Sequence, residues 1–260
     1  EAGASAAHRD RLGRTGLHQP RSAKVVRRML EGHADPNAKD VAGNVPLHHC
    51  RELPALVSLL SAGAEINAQN QEGRSALLTN LEADRLALVA LLLAHGADPE
   101  RANAVGETAI FFPKSAAALQ LLLHDYGANV HVRSVTGRCA LHGCRDAECV
   151  TLLCNAGLPA DARDVEGSTP LHLSRSVGVV RALLERGAAI DAQDIFGRTP
   201  LHRAVVRADH NVVVELLSRR ASPELTDAEG NTALHLARTS AIARRLLEAG
   251  GGDDGHDFGD

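Results

Sequence analysis

The chain has 260 residues, a formal net charge of −4 and 44% hydrophobic residues, with no Trp, one Tyr and four Phe. So mild an acidic balance argues against nucleic acid or an anionic membrane as the main partner, since both favour a basic field. No apolar run approaches the roughly 18 residues of a spanning helix, so no membrane insertion is expected. Five cysteines are an odd number at low density, which points to free thiols in a reducing compartment, cytoplasmic or nuclear.

Eight glycines, Gly13, Gly43, Gly73, Gly106, Gly137, Gly167, Gly197 and Gly230, recur at spacings of 30, 30, 33, 31, 30, 30 and 33 residues. A period near thirty predicts a stacked solenoid whose units touch only their neighbours. Three residues before each glycine stands Asp10, Asp40, Asn70, Asn103, Ser134, Asp164, Asp194 or Asp227. Two residues after each begins a tetrad, such as Val45-Pro46-Leu47-His48, Thr169-Pro170-Leu171-His172 or Thr199-Pro200-Leu201-His202. Six of the eight tetrads carry His at the same place: His18, His48, His142, His172, His202 and His235.

In chain order, residues 1–12 read as the end of a preceding repeat, with Gly3-Ala4 and Asp10 placed like Gly187-Ala188 and Asp194. The chain is therefore expected to be a segment of a longer protein. Repeats follow at 13–42, 43–72, 73–105, 106–136, 137–166, 167–196 and 197–229, then a last helix pair at 230–250 and a flexible acidic tail at 251–260. Within a repeat, a tetrad Thr or Ser can cap a first helix whose opening turn suits Pro. A second helix carries an i, i+1, i+4, i+5 apolar stripe, as in Val179, Val180, Leu183 and Leu184. A glycine such as Gly187 can end it in the left-handed conformation; His33 and Arg220 hold that place in two repeats, at a steric cost.

The lengths are informative. The 30-residue repeats lack three positions between the tetrad and the stripe, which predicts a first helix shortened by nearly one turn. The repeat opening at Gly106 has one extra residue at His124-Asp125-Tyr126. Gly13, Gly43, Gly73 and Gly106 each have a counterpart 124 residues on, as a duplicated four-repeat block would.

These finger glycines, tetrads and stripes strongly resemble the ankyrin repeat over essentially residues 1 to 250. The resemblance implies an all-α solenoid: helix-turn-helix units joined by β-turn fingers in a curved, elongated stack. It also implies a non-catalytic, monomeric scaffold or adaptor without cofactors, binding a protein or peptide with finger tips and first helices along a concave side. The alternative is the regulatory ankyrin region of a larger enzyme or transporter.

The finger tips supply the candidate partner-binding residues Arg74, Val105, Glu107, Arg138, Glu166, Ile195, Phe196 and Arg198, and Phe112 joins them from a tetrad end. Phe196 beside Arg198 and Arg138 has the composition of an interface hot spot, or it packs along its own row of fingers. Phe111, Phe112 and Pro113 are either a local core repair or a second aromatic anchor.

Three other motifs suggest chemistry. The tetrad histidines lie about thirty residues apart and cannot converge on one metal ion; the resemblance makes each a structural hydrogen-bonding residue. Cys139, Cys144, Cys149 and Cys154 stand five apart, wider than usual zinc spacing, and fall on slots filled elsewhere by core residues; a thiol sensor or metal site is the competing reading. His8-Arg9-Asp10 lacks the Asn that a kinase catalytic loop requires, having Thr15 there, and the tail acids Asp253, Asp254, Asp257 and Asp260 lack calcium-loop spacing. No catalytic, cofactor or metal residues are assigned.

Overall fold

The structure, a computed structural model, describes residues 8–19 and 22–250. The expectations for Gly3-Ala4 and for the tail 251–260 lie outside the described residues. The chain divides into two compact units, residues 1–132 and 133–260, and the division falls just before Gly137, which opens the second copy of the 124-residue block. Each unit is a stack of helix pairs linked by turn fingers, and the fold is the expected all-α ankyrin solenoid.

The first helices follow repeat length. They run Ala76–Glu82 and Pro200–Val206 in the two 33-residue repeats, seven residues each. In the 30-residue repeats they shrink to Pro46–His49 and Pro170–Leu173, four residues each, or to 3₁₀ turns at Gly16–His18 and Ala140–Gly143. The three missing residues thus remove the last turn of the first helix. Six second helices keep one length of nine residues, at Ala23–Glu31, Leu53–Ser61, Leu86–Ala94, Ala147–Asn155, Val177–Glu185 and His210–Ser218, and the last, Ser240–Gly250, has eleven. Their inner faces form the core, with Leu56, Leu59, Val89 and Leu92 buried in the first unit and Val150, Leu153, Val180, Leu183, Val213 and Leu216 in the second.

The extra residue of the Gly106 repeat is absorbed by a π turn. Helix Ala116–Gln120 passes directly into the π turn Leu121–Asp125. Elsewhere the chain leaving the second helix closes a bond five residues back, as from Ala97 N–H to Leu92 C=O (3.0 Å). Here Ala128 N–H reaches six residues back to Leu122 C=O (2.9 Å). One inserted residue is the usual origin of such a bulge. It leaves Leu119 and Leu122 in the core while Ala128 still turns toward the next finger.

Two classes of glycine separate on space. Gly43 and Gly73 have φ of 79° and 71°. A Cβ on them would meet the next finger's backbone at 3.1 Å (Gln71 N) and 2.6 Å (Ala104 N). Gly63 and Gly187, at the second-helix ends, also have positive φ but face open space. His33 and Arg220 take the same left-handed conformation, with φ of 59° and 66°. The helix-end place therefore tolerates a side chain at the cost of local strain alone, whereas Gly43 and Gly73, backed by another finger, do not; the finger glycine Gly230 faces open space.

Five of the tetrad histidines, His18, His48, His142, His172 and His202, tie their repeats to the next. Nδ1 of His172 accepts the backbone N–H (3.1 Å) and the hydroxyl (2.9 Å) of Thr169, so the ring proton resides on Nε2, which donates to Arg198 C=O (2.9 Å). His18, His48 and His142 donate likewise to Asn44, Arg74 and Ser168 carbonyls, and His202 to Asn231. The expected capping role holds for Thr199 and Ser75, which accept a helical N–H and open seven-residue helices, and not for Thr15 or Thr169, whose hydroxyls go to the histidine ring alone. The Thr199 hydroxyl meets its histidine ring as well, at 2.8 Å.

Two outcomes follow. Gly73→Ala should cost the full chain more than ~2 kcal/mol in urea unfolding, because strain and backbone clash add, whereas Gly63→Ala should cost about 1 kcal/mol; equal losses would contradict the distinction. Burial lowers the affinity of His18, His48, His142 and His172 for a proton below the ordinary value of 6.5. Their contribution is complete above that value and is lost as pH falls below it, when the unfolded chain binds protons the native rings refuse. Tm should therefore drop steadily from about pH 7.5 to about pH 5.5, and a flat profile would contradict it.

Candidate functional site

Each finger is built around an acceptor. Oδ1 of Asp194 accepts the N–H groups of Phe196 (2.9 Å) and Arg198 (3.0 Å), while Gly197 N–H returns to the Asp194 carbonyl (2.9 Å). Asp164 binds Glu166 and Ser168 in the same way. Ser134 does so through its hydroxyl, which bonds Thr136 Oγ1 and accepts Arg138 N–H (3.2 Å). Fingers are then linked edge to edge, with Val165 N–H to Thr136 C=O, Ile195 N–H to Glu166 C=O and Ala228 N–H to Phe196 C=O, all 2.9–3.0 Å. Val165 and Ile195, each the residue after an acceptor, thus spend their N–H on the neighbouring finger and turn their side chains to solvent. Val135, Val165 and Ile195 are 70%, 65% and 64% exposed.

At the end of this row, Phe196 is 43% exposed. Its ring is not packed under the fingers. The Arg198 guanidinium lies 4.3 Å from its centroid and bonds Asp194 Oδ2 through Nε (3.2 Å). Arg203, from the following first helix, binds the same carboxylate oxygen at 2.8 Å and pairs with Glu166 at 3.7 Å. Burial alone would raise the Asp194 carboxyl, but the Arg198 N–H and the Arg203 guanidinium prevail and hold it below the ordinary carboxylate value. Ile195, Phe196, Arg198 and Glu166 thus form one braced cluster in the second unit. Arg138 stands one finger away, its Nε bonded to the buried Asp164 carboxylate (3.2 Å).

The remaining candidates lie in the first unit. The Arg74 guanidinium sits 5.4 Å from the Phe112 ring centroid and forms an ion pair with Glu82. Phe112 is half-buried, serving as a platform for Arg74 more than as a core residue. Glu107 turns back on its own finger and accepts from Asn103 Nδ2 (3.0 Å), and Val105 is exposed at its tip.

Sequence reasoning missed Arg203 and did not join Val135 and Val165 to the expected Ile195 as one exposed row. A signal for the first was present. The residue after the tetrad is His49, Phe112, Gly143 or Arg203 in different repeats, and that slot faces the finger: His49 Nε2 lies 3.4 Å from Asp40 Oδ2, as Arg203 lies against Asp194.

The cysteine row has the chemistry of interior thiols. Cys139 takes the tetrad threonine's place and sets Sγ 3.3 Å from Nδ1 of His142, whose Nε2 is already committed to the next repeat. Cys144 Sγ lies 3.6 Å from Ala140 C=O. Burial pushes the Cys139, Cys144 and Cys154 thiols up, away from the thiolate that a redox sensor or a metal site needs. Cys144 and Cys154 are only half-buried, a departure from the fully interior places expected of them.

Comparison with known proteins is consistent with this architecture. The family model for ankyrin repeats (three copies) matches residues 108–194 and 174–256. A transient receptor potential channel, pyrexia, of Drosophila melanogaster is 33% identical over 135 residues, covering 49% of this chain and 14% of that protein. The B-cell lymphoma 3 protein homolog of Mus musculus is 32% identical over 134 residues, covering 46% of this chain and 30% of its own. The chain thus spans less than a third of either relative. The crystal structure of the ankyrin repeat domain of Bcl-3, described as a unique member of the IkappaB protein family, superposes with a TM-score of 0.55 at 28% identity, over 79% of this chain and 99% of that one.

Thiol chemistry offers a direct check. In the native chain at neutral pH, Cys139 and Cys144 should react with a disulfide reagent at least about a hundredfold more slowly than in the urea-unfolded chain. Native rates near the unfolded ones would mean that the row is reactive.

Proposed function

Because this chain belongs to the ankyrin-repeat family, we propose that it is a protein-binding scaffold or adaptor segment, not a catalyst, that receives a protein or peptide on its fingers and first helices. The observation that carries the epitope is the row Val135, Val165 and Ile195 ending at the Arg198-stacked Phe196. Exposed β-branched side chains have few rotamers to lose on binding. Phe196 and Arg198 are already ordered by the Asp194–Arg203 brace, so a partner gains an aromatic anchor and a cation at small entropic cost. Hydrogen-bonded fingers favour docking with little rearrangement. The compartment that suits buried thiols is a reducing one, cytoplasmic or nuclear.

A second reading, the regulatory region of a larger transporter or enzyme, is favoured by the match to the pyrexia channel, of which this chain covers 14%. The two readings share the same surface and differ in what it is attached to.

The epitope can be tested with peptides selected from a random display library on the immobilised full chain. Phe196→Ala combined with Ile195→Ala should weaken a selected peptide by about thirtyfold, the loss of a hot spot worth ~2 kcal/mol, with Tm little changed. Arg74→Ala, in the other unit, should leave its affinity within twofold. Retention of affinity in the finger variant would overturn the assignment.

A further inference from the structure

The second unit contains a cleft of about 510 Å³ lined by His142, Gly143, Cys144, Arg145, Leu173, Arg175 and Ser176. It lies at the opposite end of the first helices from the fingers. Its origin is the three-residue shortening. Where a long repeat follows a short one, the extra turn carries Arg207 back over the short helix. Its guanidinium donates to His172 C=O (2.7 Å) and Ser174 C=O (2.9 Å) and is neutralised by Asp209 (2.7 Å). The repeats opening at Gly137 and Gly167 are both short, so no such arm reaches the equivalent space beside His142 and Cys144. Gly143 also lines the cleft and adds no side chain to it.

The walls are cationic. Arg145 and Arg175 occupy the same place in consecutive repeats, directly after Cys144 and Ser174. Both are exposed, and among the described residues neither forms an ion pair or a hydrogen bond. This contrasts with Arg181, Arg198, Arg203, Arg207 and Arg219, which all bind carboxylates. Ser176 begins helix Val177–Glu185, and its hydroxyl does not cap that helix, so the first N–H groups of a nine-residue helix face the same end of the cleft. Two unneutralised guanidiniums, a hydroxyl and a helix start are complementary to carboxylates. A dense phosphate backbone suits the place less well: the neighbouring Asp146 is anionic and caps its own helix, and the chain carries a net charge of −4.

We propose that this cleft is a second recognition surface, independent of the finger row, that binds an acidic peptide segment by its Asp or Glu side chains through Arg145 and Arg175. The test is fluorescence anisotropy with the full chain and a fluorescein-labelled octaglutamate peptide, at about 50 mM and about 300 mM salt. Binding should appear at low salt and weaken at high salt, where exposed charges are screened. Arg145→Glu with Arg175→Glu should weaken it by about tenfold, the equivalent of two exposed ion pairs lost. Arg145→Gln with Arg175→Gln should weaken it less, with an unchanged melting curve. Phe196→Ala should have no effect, which separates this surface from the finger epitope. Absence of binding at low salt, binding that survives the charge reversal within twofold, or equal binding of an oligouridylate RNA would each overturn the proposal.

Discussion

The structure depends on an acceptor that closes each finger. A carboxylate or amide three residues before a glycine accepts the N–H groups of the residues two and four places on, the Ser134 hydroxyl accepts the one four places on, and the glycine turns the chain back through positive φ. The closed turn fixes a carbonyl where the tetrad histidine of the preceding repeat can reach it, as His48 reaches Arg74 C=O at 2.8 Å. It also sets a free N–H against the preceding finger's carbonyl, as Gln71 N–H meets Ala42 C=O at 3.0 Å. One polar side chain thereby organises the turn, the bond to the repeat behind and the bond between fingers. No repeat could retain these contacts alone, because each partner is supplied by a neighbour.

Shortening the first helix makes that dependence greater. A helix of four residues is far below the length at which helical bonds sustain themselves, so Pro170–Leu173 is held by its buried Leu171, by the His172 ring and by the Arg207 arm of the following repeat. The seven-residue helix Pro200–Val206 buries Leu201, Ala204 and Val205 and carries Arg203 to the finger. Mixing short and long repeats therefore places a long helix where it can brace a short one. In the second unit the two short repeats opening at Gly137 and Gly167 leave a cleft beside His142.

What could be read in the sequence was whatever repeats. Finger glycines, tetrad histidines and apolar stripes recur in register, so each copy confirms the others, and the three missing positions predicted the lost turn of Pro46–His49. What could not be read was whatever one residue does on its own. The added residue near His124 was visible, but a loop could have absorbed it as readily as the π turn at Leu121–Asp125. Thr169 looked like a helix cap because the ring of His172 competes for its hydroxyl only in three dimensions. Phe196 was marked as exposed or packed with no means to decide, since the decision rests on Arg198 folding over it and on Arg203 holding Asp194 from the next helix. Arg203 could be found only by comparing the residue after each tetrad across repeats, because that slot varies between copies and no single repeat shows that it faces the finger acceptor.

The distinctive surface arises at the same slots. The residue after the tetrad is bound to no neighbour by the repeat's own bonding scheme, so it is free to differ: His49 meets Asp40, Phe112 carries Arg74, Arg203 braces Asp194, and Gly143 opens a cleft. The residue after the finger acceptor is equally free, because only its backbone is used, and there the second unit places Val135, Val165 and Ile195. A fold that commits its glycines, acceptors and histidines to holding repeats together leaves these two positions per repeat free to vary, and the proposed finger epitope draws on them.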